Sequence, residues 1–309
     1  MSPSEARAGA GAELVVAPTA QALGPRPATA RAGRQLGRSL RRRWTLVLGL
    51  CVAVGFCLLA IAAPLISPYS PDVQNMSLAL RPPSAAHPFG TDEFGRDSLS
   101  RILHGARLTL LASSLAVLLA AIVGCSVGLT AGYFGGILDT VVGRLVDILF
   151  AFPVILLGIA IVAVLGPGES SVVIAIAIAS LPSFARVSRA AIIPEKEREY
   201  VVAAHVMGAS TPYIILRTLL PNLIGPLMVL ISLGFAYAVL YEASLSFLGL
   251  GARPPTPEWG LMLSTGRDFL FQSPWYAFFP GASIFLLVFS LNLIGDGLRD
   301  VVDPYHRAR

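Results

Sequence analysis

Charge-free apolar runs alternate with short polar connections along this chain, and the run lengths predict helices. Such runs cover 44–71, 108–138, 148–168, 218–241 and 269–295, with a shorter one at 170–185. A helix needs about 20 predominantly apolar residues to cross a bilayer. Five runs are therefore long enough. The sixth, at 170–185, reaches that length only if its end continues through Arg186, with the guanidinium snorkelling to the interface. Helices are the form to expect, because an open strand in hydrocarbon leaves its backbone groups unpaired. The pattern predicts an all-α integral membrane protein with six transmembrane helices. Its segments are a tail at 1–43, a first helix at 44–66, an outer segment at 67–107, a core of five helices at 108–300 and a short tail at 301–309.

Composition sharpens this. Of the 309 residues, 55% are hydrophobic and only 13% are charged, and mean hydropathy is +0.71. Water-soluble domains carry about 25% charged residues, so an ordinary soluble enzyme is excluded. Eight arginines in residues 1–43 face two glutamates, and everything after Arg43 sums to a net charge of −1. This Ala-, Gly-, Pro- and Arg-rich tail reads as disordered. It lacks the aromatic interleaving and the fold of a nucleic-acid binder. With the amino terminus inside, 17 basic residues fall on the inner side and six on the outer. That bias places both termini in the cytoplasm.

The chemistry is sparse. Cys51, Cys57 and Cys125 lie in apolar runs without metal or disulfide spacing, and the four histidines are scattered. The only lysine, Lys196, stands between two glutamates with no Gly-rich cradle, so the chain has no P-loop for ATP. The polar residues near the spans stand out instead, because ionisable groups at membrane depth face protein or water. Tyr237, Tyr241 and Glu242 close the fifth run, where they either line a pathway or fix a helix contact. Arg144 and Asp147 share a helix face and are expected to pair or to meet lipid head groups. Asp92, Arg96, Asp97 and Arg101 form a charged cluster in the outer segment, with a helix beginning near Asp97. Arg253 to Trp259, stiffened by three prolines, is a second outer feature.

The inner connection at 186–217 carries the strongest pattern. Pro194 can open a short helix that stops at Gly208, a residue tolerant of the left-handed cap conformation. Ser210-Thr211-Pro212 then starts a second helix, which runs to Pro221. The predicted elbow, 194–221, presents small side chains at Ala203 and Ala204.

These residues resemble a known loop. Ala203-Ala204, Gly208 and Leu220-Pro221 keep the spacing of the E-A-A-x3-G-x9-I-x-L-P loop of ABC importer permeases. Val202 stands where that family has Glu, and Thr218 where it has Ile. The blocks GTDEFGRDSLSRILHGARLTL from Gly90, AGYFGG at 131–136, RLVDILFAFP at 144–153, LSFLGLGARPPTPEWGLML at 245–263 and NLIGDGLRD at 292–300 resemble the C-type membrane subunit of the dipeptide, oligopeptide and nickel group. The likeness runs from Trp44 to Pro304.

The resemblance implies a type I importer permease fold and a subunit that is not itself an enzyme. It implies a homologous permease partner, two ABC ATPase subunits that bind ATP and Mg, and an extracytoplasmic binding protein or lipoprotein. Peptide is the implied cargo, with nickel or another small solute as the alternative. No cofactor is expected on this chain. The elbow would be the coupling helix seated in the ATPase, with Ala203, Ala204, Gly208 and Ala209 at the contact and Leu220 and Pro221 at the return to the membrane. Asp92, Arg96, Asp97, Arg253 and Trp259 would form a rim where the binding protein docks. A rival from another class is a proton-coupled secondary transporter that uses Glu242 or Asp147. It would call for inverted repeats and broken helices, and the sequence displays neither.

Overall fold

Apolar helices that cannot be solvated must cover one another or meet lipid, and the computed structural model describes residues 28–302 as loops, the longest at 67–97, joining a series of helices. In chain order these are α1 (Ala28–Ile66), α2 (Ser98–Phe134), α3 (Gly136–Phe150), α4 (Val154–Leu165), α5 (Glu169–Glu195), α6 (Glu199–Val206), α7 (Thr211–Tyr213), α8 (Leu220–Phe247), α9 (Trp259–Arg267) and α10 (Pro274–Val302). A π-helical turn, Ile214–Leu219, joins α7 to α8. Five helices are long and apolar enough to cross a membrane, and six spans result if the bent pair α3–α4 counts as one.

The expected span boundaries shift for identifiable reasons. α2 starts ten residues before the apolar run at 108–138 because Asp97 caps it, accepting from the Ser100 amide at 2.8 Å. The run at 148–168 is not one helix: α3 and α4 meet at 92°. Pro153 lacks an amide hydrogen and disfavours helical geometry at Phe152, so the helix breaks there. α5 extends ten residues past the run at 170–185, because Arg186 and Arg189 find carboxylates on α3. Pro194 therefore lies in the last turn of α5, and the elbow helix opens at Glu199 instead. Helix α1 begins at Ala28, so the basic stretch 28–43, expected to be disordered, is helical. Residues 1–27 and 303–309, the remainder of the two tails, lie outside the described residues.

The α2–α5 pair is the most extensive helix contact, and its cause is a stripe of small residues. Ala112, Ala116, Ala120, Gly124, Gly128 and Gly132 recur every fourth position on one face of α2, all buried. Side chains four apart stack on the same ridge. With no bulk on that ridge the α5 backbone comes close: a Cβ on Gly128 would sit 2.2 Å from the Ala185 carbonyl oxygen. Without a hydrophobic drive between helices in lipid, such close approach is the main source of helix association. The buried apolar side chains fall into three clusters. One joins α1, α2, α8, α9 and α10 around Trp259 and Leu287, a second joins α2, α4, α5 and α8 around Phe184, and a third holds the elbow.

Candidate functional site

The elbow is built from α6, the turn at Gly208 and the π-helical turn. Gly208 adopts φ +80°, a left-handed conformation, and a Cβ there would meet nothing within 4 Å. Its requirement is thus one of backbone rather than of space. In an α-helix, residues five apart lie about 140° around the axis from each other. The wider π turn brings Ile214 and Leu219 onto one inner face, both fully buried. They meet Val201, Ala204, Leu223 and Leu227 in the third cluster, together with Leu129 of α2 and Ile192 of α5.

Polar bonds fasten the same joint. Lys196 donates to the Gly132 and Tyr133 carbonyls at 3.0 and 3.1 Å, capping the end of α2. Tyr200 donates to Glu195 at 2.6 Å and accepts from Asn222 at 3.0 Å. Burial and then the Glu195 carboxylate push the Tyr200 phenol above its usual range. His205 and Tyr133 are hydrogen-bonded at 3.0 Å.

The elbow residues expected to form one outward face divide between two sides. Ala204 is buried at 6% exposure against the chain's own core, so its small size serves internal packing and it cannot face a partner. Ala209 and Leu220 pack against the same cluster, half-buried. Ala203, Gly208 and Pro221 are exposed. The outward surface is dominated by residues the motif does not mark: Val206 is 83% exposed and Met207 81%, with Val202, Tyr213 and Leu216 beside them. Only the apolar character of Val206 and Met207, next to the helix-ending Gly208, could have singled them out.

At the opposite end of the bundle, Asp92, Arg96, Asp97 and Trp259 are 0–3% exposed. Buried side chains cannot make a docking rim, which corrects that expectation; only Arg253 of the proposed set is exposed. The buried four hold a platform together instead. The Asp92 carboxylate accepts from the Phe94 and Arg96 amides at 2.9 Å and pairs with the Arg96 guanidinium. Asp97 caps α2 and meets His87 at 2.9 Å. Arg101 donates to the Pro71 and Pro255 carbonyls, each at 3.1 Å. The Trp259 indole donates to Ile102 of α2 at 2.9 Å, and Tyr276 of α10 donates to Glu93. Segment 71–97, α2, the 251–258 loop, α9 and α10 are thereby bonded into one piece.

Glu242 does not line a pathway. It is 3% exposed and lies close to Glu258, itself 1% exposed. Glu258 caps α9, accepting from Gly260 and Leu261 at 2.6 and 2.8 Å. Burial pushes the Glu258 carboxyl up, and the backbone amides pull it partly back. Glu242 therefore belongs to the buried contact between α8 and α9. Tyr241 is half-buried among Gly158, Ala175 and Leu245, while Tyr237, stacked on it at 6.2 Å between ring centroids, is 56% exposed. The expected Arg144–Asp147 pair does not form. Asp147 instead pairs with Arg186 at 2.8 Å and Asp139 with Arg189, both across to α5.

The described residues thus form a bundle of apolar helices with a bonded elbow at one end and a bonded platform at the other. The comparisons with known proteins name the kind. Residues 106–307 match the family described as binding-protein-dependent transport system inner membrane component, and residues 33–83 match the N-terminal transmembrane domain of oligopeptide transport permease C. The chain belongs to this family of ABC importer permeases. It is 47% identical to the dipeptide transport system permease protein DppC of Alkalihalophilus pseudofirmus over 88% of this chain and 89% of that protein. With the Haemophilus influenzae DppC identity is 44%, over 84% and 90%. With the glutathione transport system permease protein GsiD of Escherichia coli it is 43%, over 86% and 88%. Among solved structures, the chain is similar to an inward-facing form of the MetNI methionine ABC transporter, with TM-score 0.55 at 19% identity, covering 66% of this chain and 96% of that one. This likeness shows the type I permease fold.

Proposed function

We propose that the chain is one of two homologous permease subunits of an ATP-driven importer that carries small peptides inward across the cytoplasmic membrane. The permease relatives named for dipeptide and glutathione transport, similar over nearly their whole length, support the cargo. The elbow supports the mechanism. It is bonded to the ends of α2 and α5 and continuous with α8, so a push on its outer face reaches three spans as one rigid displacement. The partner that pushes is a pair of ATPase subunits holding ATP and Mg, because this chain offers no phosphate cradle. Nucleotide closure on the ATPases would draw two elbows together and open the cavity outward, and hydrolysis would reverse it. An external binding protein would deliver the peptide at the platform, where Arg253 and its neighbouring prolines are the exposed part. Both termini then face the cytoplasm, in keeping with the basic bias.

The observation that carries this reading is the outward apolar face of the elbow at Val206 and Met207, which has no use in a bundle sealed by its own packing. Substitution Gly208→Asp tests it, since the left-handed turn holds that face in place. The variant should still assemble with its ATPases in detergent, while ATP hydrolysis no longer drives peptide uptake in proteoliposomes. Uptake at the wild-type rate would refute the coupling role.

A further inference from the structure

One phenol stands unpaired on an exposed face of a membrane span, and neither the elbow nor the platform uses it. Tyr237 of α8 is 56% exposed, and among the described residues its hydroxyl has no hydrogen-bond partner. An α-helix rises about 1.5 Å per residue, so Tyr237 lies about 25 Å along α8 from Leu220 and about 15 Å from Phe247. Tyrosines that face lipid gather at the two ends of a span, where the ring meets hydrocarbon and the hydroxyl meets water. Tyr237 is too deep for that belt.

Nor can it satisfy its hydroxyl as shorter side chains do. Ser244 of the same helix bonds back to the Leu240 carbonyl at 2.6 Å. Ser283 and Asn292 of α10 bond back to Phe279 and Val288, each at 2.9 Å. A phenol oxygen, carried beyond a rigid ring, does not reach the backbone of its own helix. Against lipid it would stay unpaired, which is costly. Tyr241, one turn further on, packs its ring among Gly158, Ala175, Ala179 and Leu245, and its own hydroxyl has no hydrogen-bond partner among the described residues. The two rings lie 21° from parallel, so the packed one holds the exposed one alongside as a flat wall.

We propose that Tyr237 lines the water-filled path through the permease and that its hydroxyl bonds the backbone amide groups of the passing peptide. A phenol both donates and accepts. It therefore serves the N–H or the C=O of any peptide bond, whatever the side chains. The flat ring adds apolar contact at little cost in conformational freedom. The proposal rests on the peptide-import reading and adds a contact residue to it.

The test uses proteoliposomes holding both permeases and both ATPases, with Cys51, Cys57 and Cys125 of this chain changed to serine and label read on this chain alone. A charged, membrane-impermeant thiosulfonate reacts with a thiolate, which forms only in contact with water. It should modify Tyr237→Cys at least about tenfold faster than Leu118→Cys. Leu118 is 55% exposed, on a face of α2 that carries Leu111, Leu115 and Ile122. Supplied with binding protein, ATP and dipeptide, Tyr237→Phe should import about threefold to tenfold more slowly than wild type, the effect of one neutral hydrogen bond. Its thermal midpoint should be unchanged, because the hydroxyl holds no bond within the described residues. Equally slow labelling at 237 and 118 would place the ring against lipid or the partner permease and overturn the proposal. Wild-type uptake by Tyr237→Phe would overturn it too, and a lowered midpoint would assign the hydroxyl a structural role instead. If the wild-type complex still imports dipeptides in any of these cases, the importer reading stands without the contact. Absence of ATP-driven dipeptide uptake by the wild type would bring down the cargo reading and the contact together.

Discussion

Single residues in the elbow show how one sequence motif divides into two tasks. Ala203 and Ala204 are neighbours of the same size, yet one faces outward and the other lies 6% exposed against Ile192 and Ile214. Spacing identifies both as members of the motif; only the helix rotation assigns their sides. Two substitutions separate the tasks. Ala204→Leu should lower the thermal midpoint of the purified protein in detergent, because forcing bulk into a filled core costs about 1–3 kcal/mol. Val206→Glu should leave that midpoint unchanged, since the side chain is 83% exposed. The same change should weaken co-purification with the ATPase subunits if the proposed docking holds, because it places a charge in that apolar face.

Elements are joined here by closeness of backbone more than by bulk. The six small residues on α2 were visible in the sequence at a strict spacing of four, but their significance depended on a partner lying across them. α5 is that partner, and Phe184, Ala185 and Ser188 occupy the space the ridge leaves. Substituting Gly128→Leu should separate the two helices, since even a Cβ there would sit 2.2 Å from the Ala185 carbonyl oxygen and the Ser188 hydroxyl. A large loss of folded protein is expected, read as aggregation in size-exclusion chromatography, whereas Gly143→Leu, where a Cβ meets nothing within 4 Å, should be tolerated. The break between α3 and α4 belongs to the same scale. The charge-free run at 148–168 suggested one span, and Pro153 within it was the signal that it is not.

Among the described residues, polar bonds gather at the elbow and at the platform formed by segment 71–97, α9 and the 251–258 loop. The buried Glu258 carboxyl caps α9 where that helix packs against α8, so its contribution should depend on pH. Because burial raises the Glu258 carboxyl above its ordinary value of 4.5, the folded state holds more protons than the unfolded one above that value. The stabilisation is complete below about pH 4.5 and is lost as pH rises through the raised folded-state value. The thermal midpoint should therefore fall with rising pH in that window. Glu258→Gln, which removes the titrating carboxyl, should flatten the dependence. An unchanged slope in this variant would show that Glu258 is not its source.

Hydropathy by itself determined that this is a multi-span helical membrane protein, and motif spacing located its elbow and its family. Both are local properties: an apolar run is unstable in water wherever it lies, and a turn that needs a left-handed residue must place one at Gly208. The sequence did not determine which charged residues pair, which motif residues face outward, or that the cluster around Asp92 is buried. Those depend on helices far apart in the chain coming together, as Arg186 and Arg189 reach across to α3. Burial and ion pairing are relations between elements, and only the tertiary structure fixes which elements are neighbours.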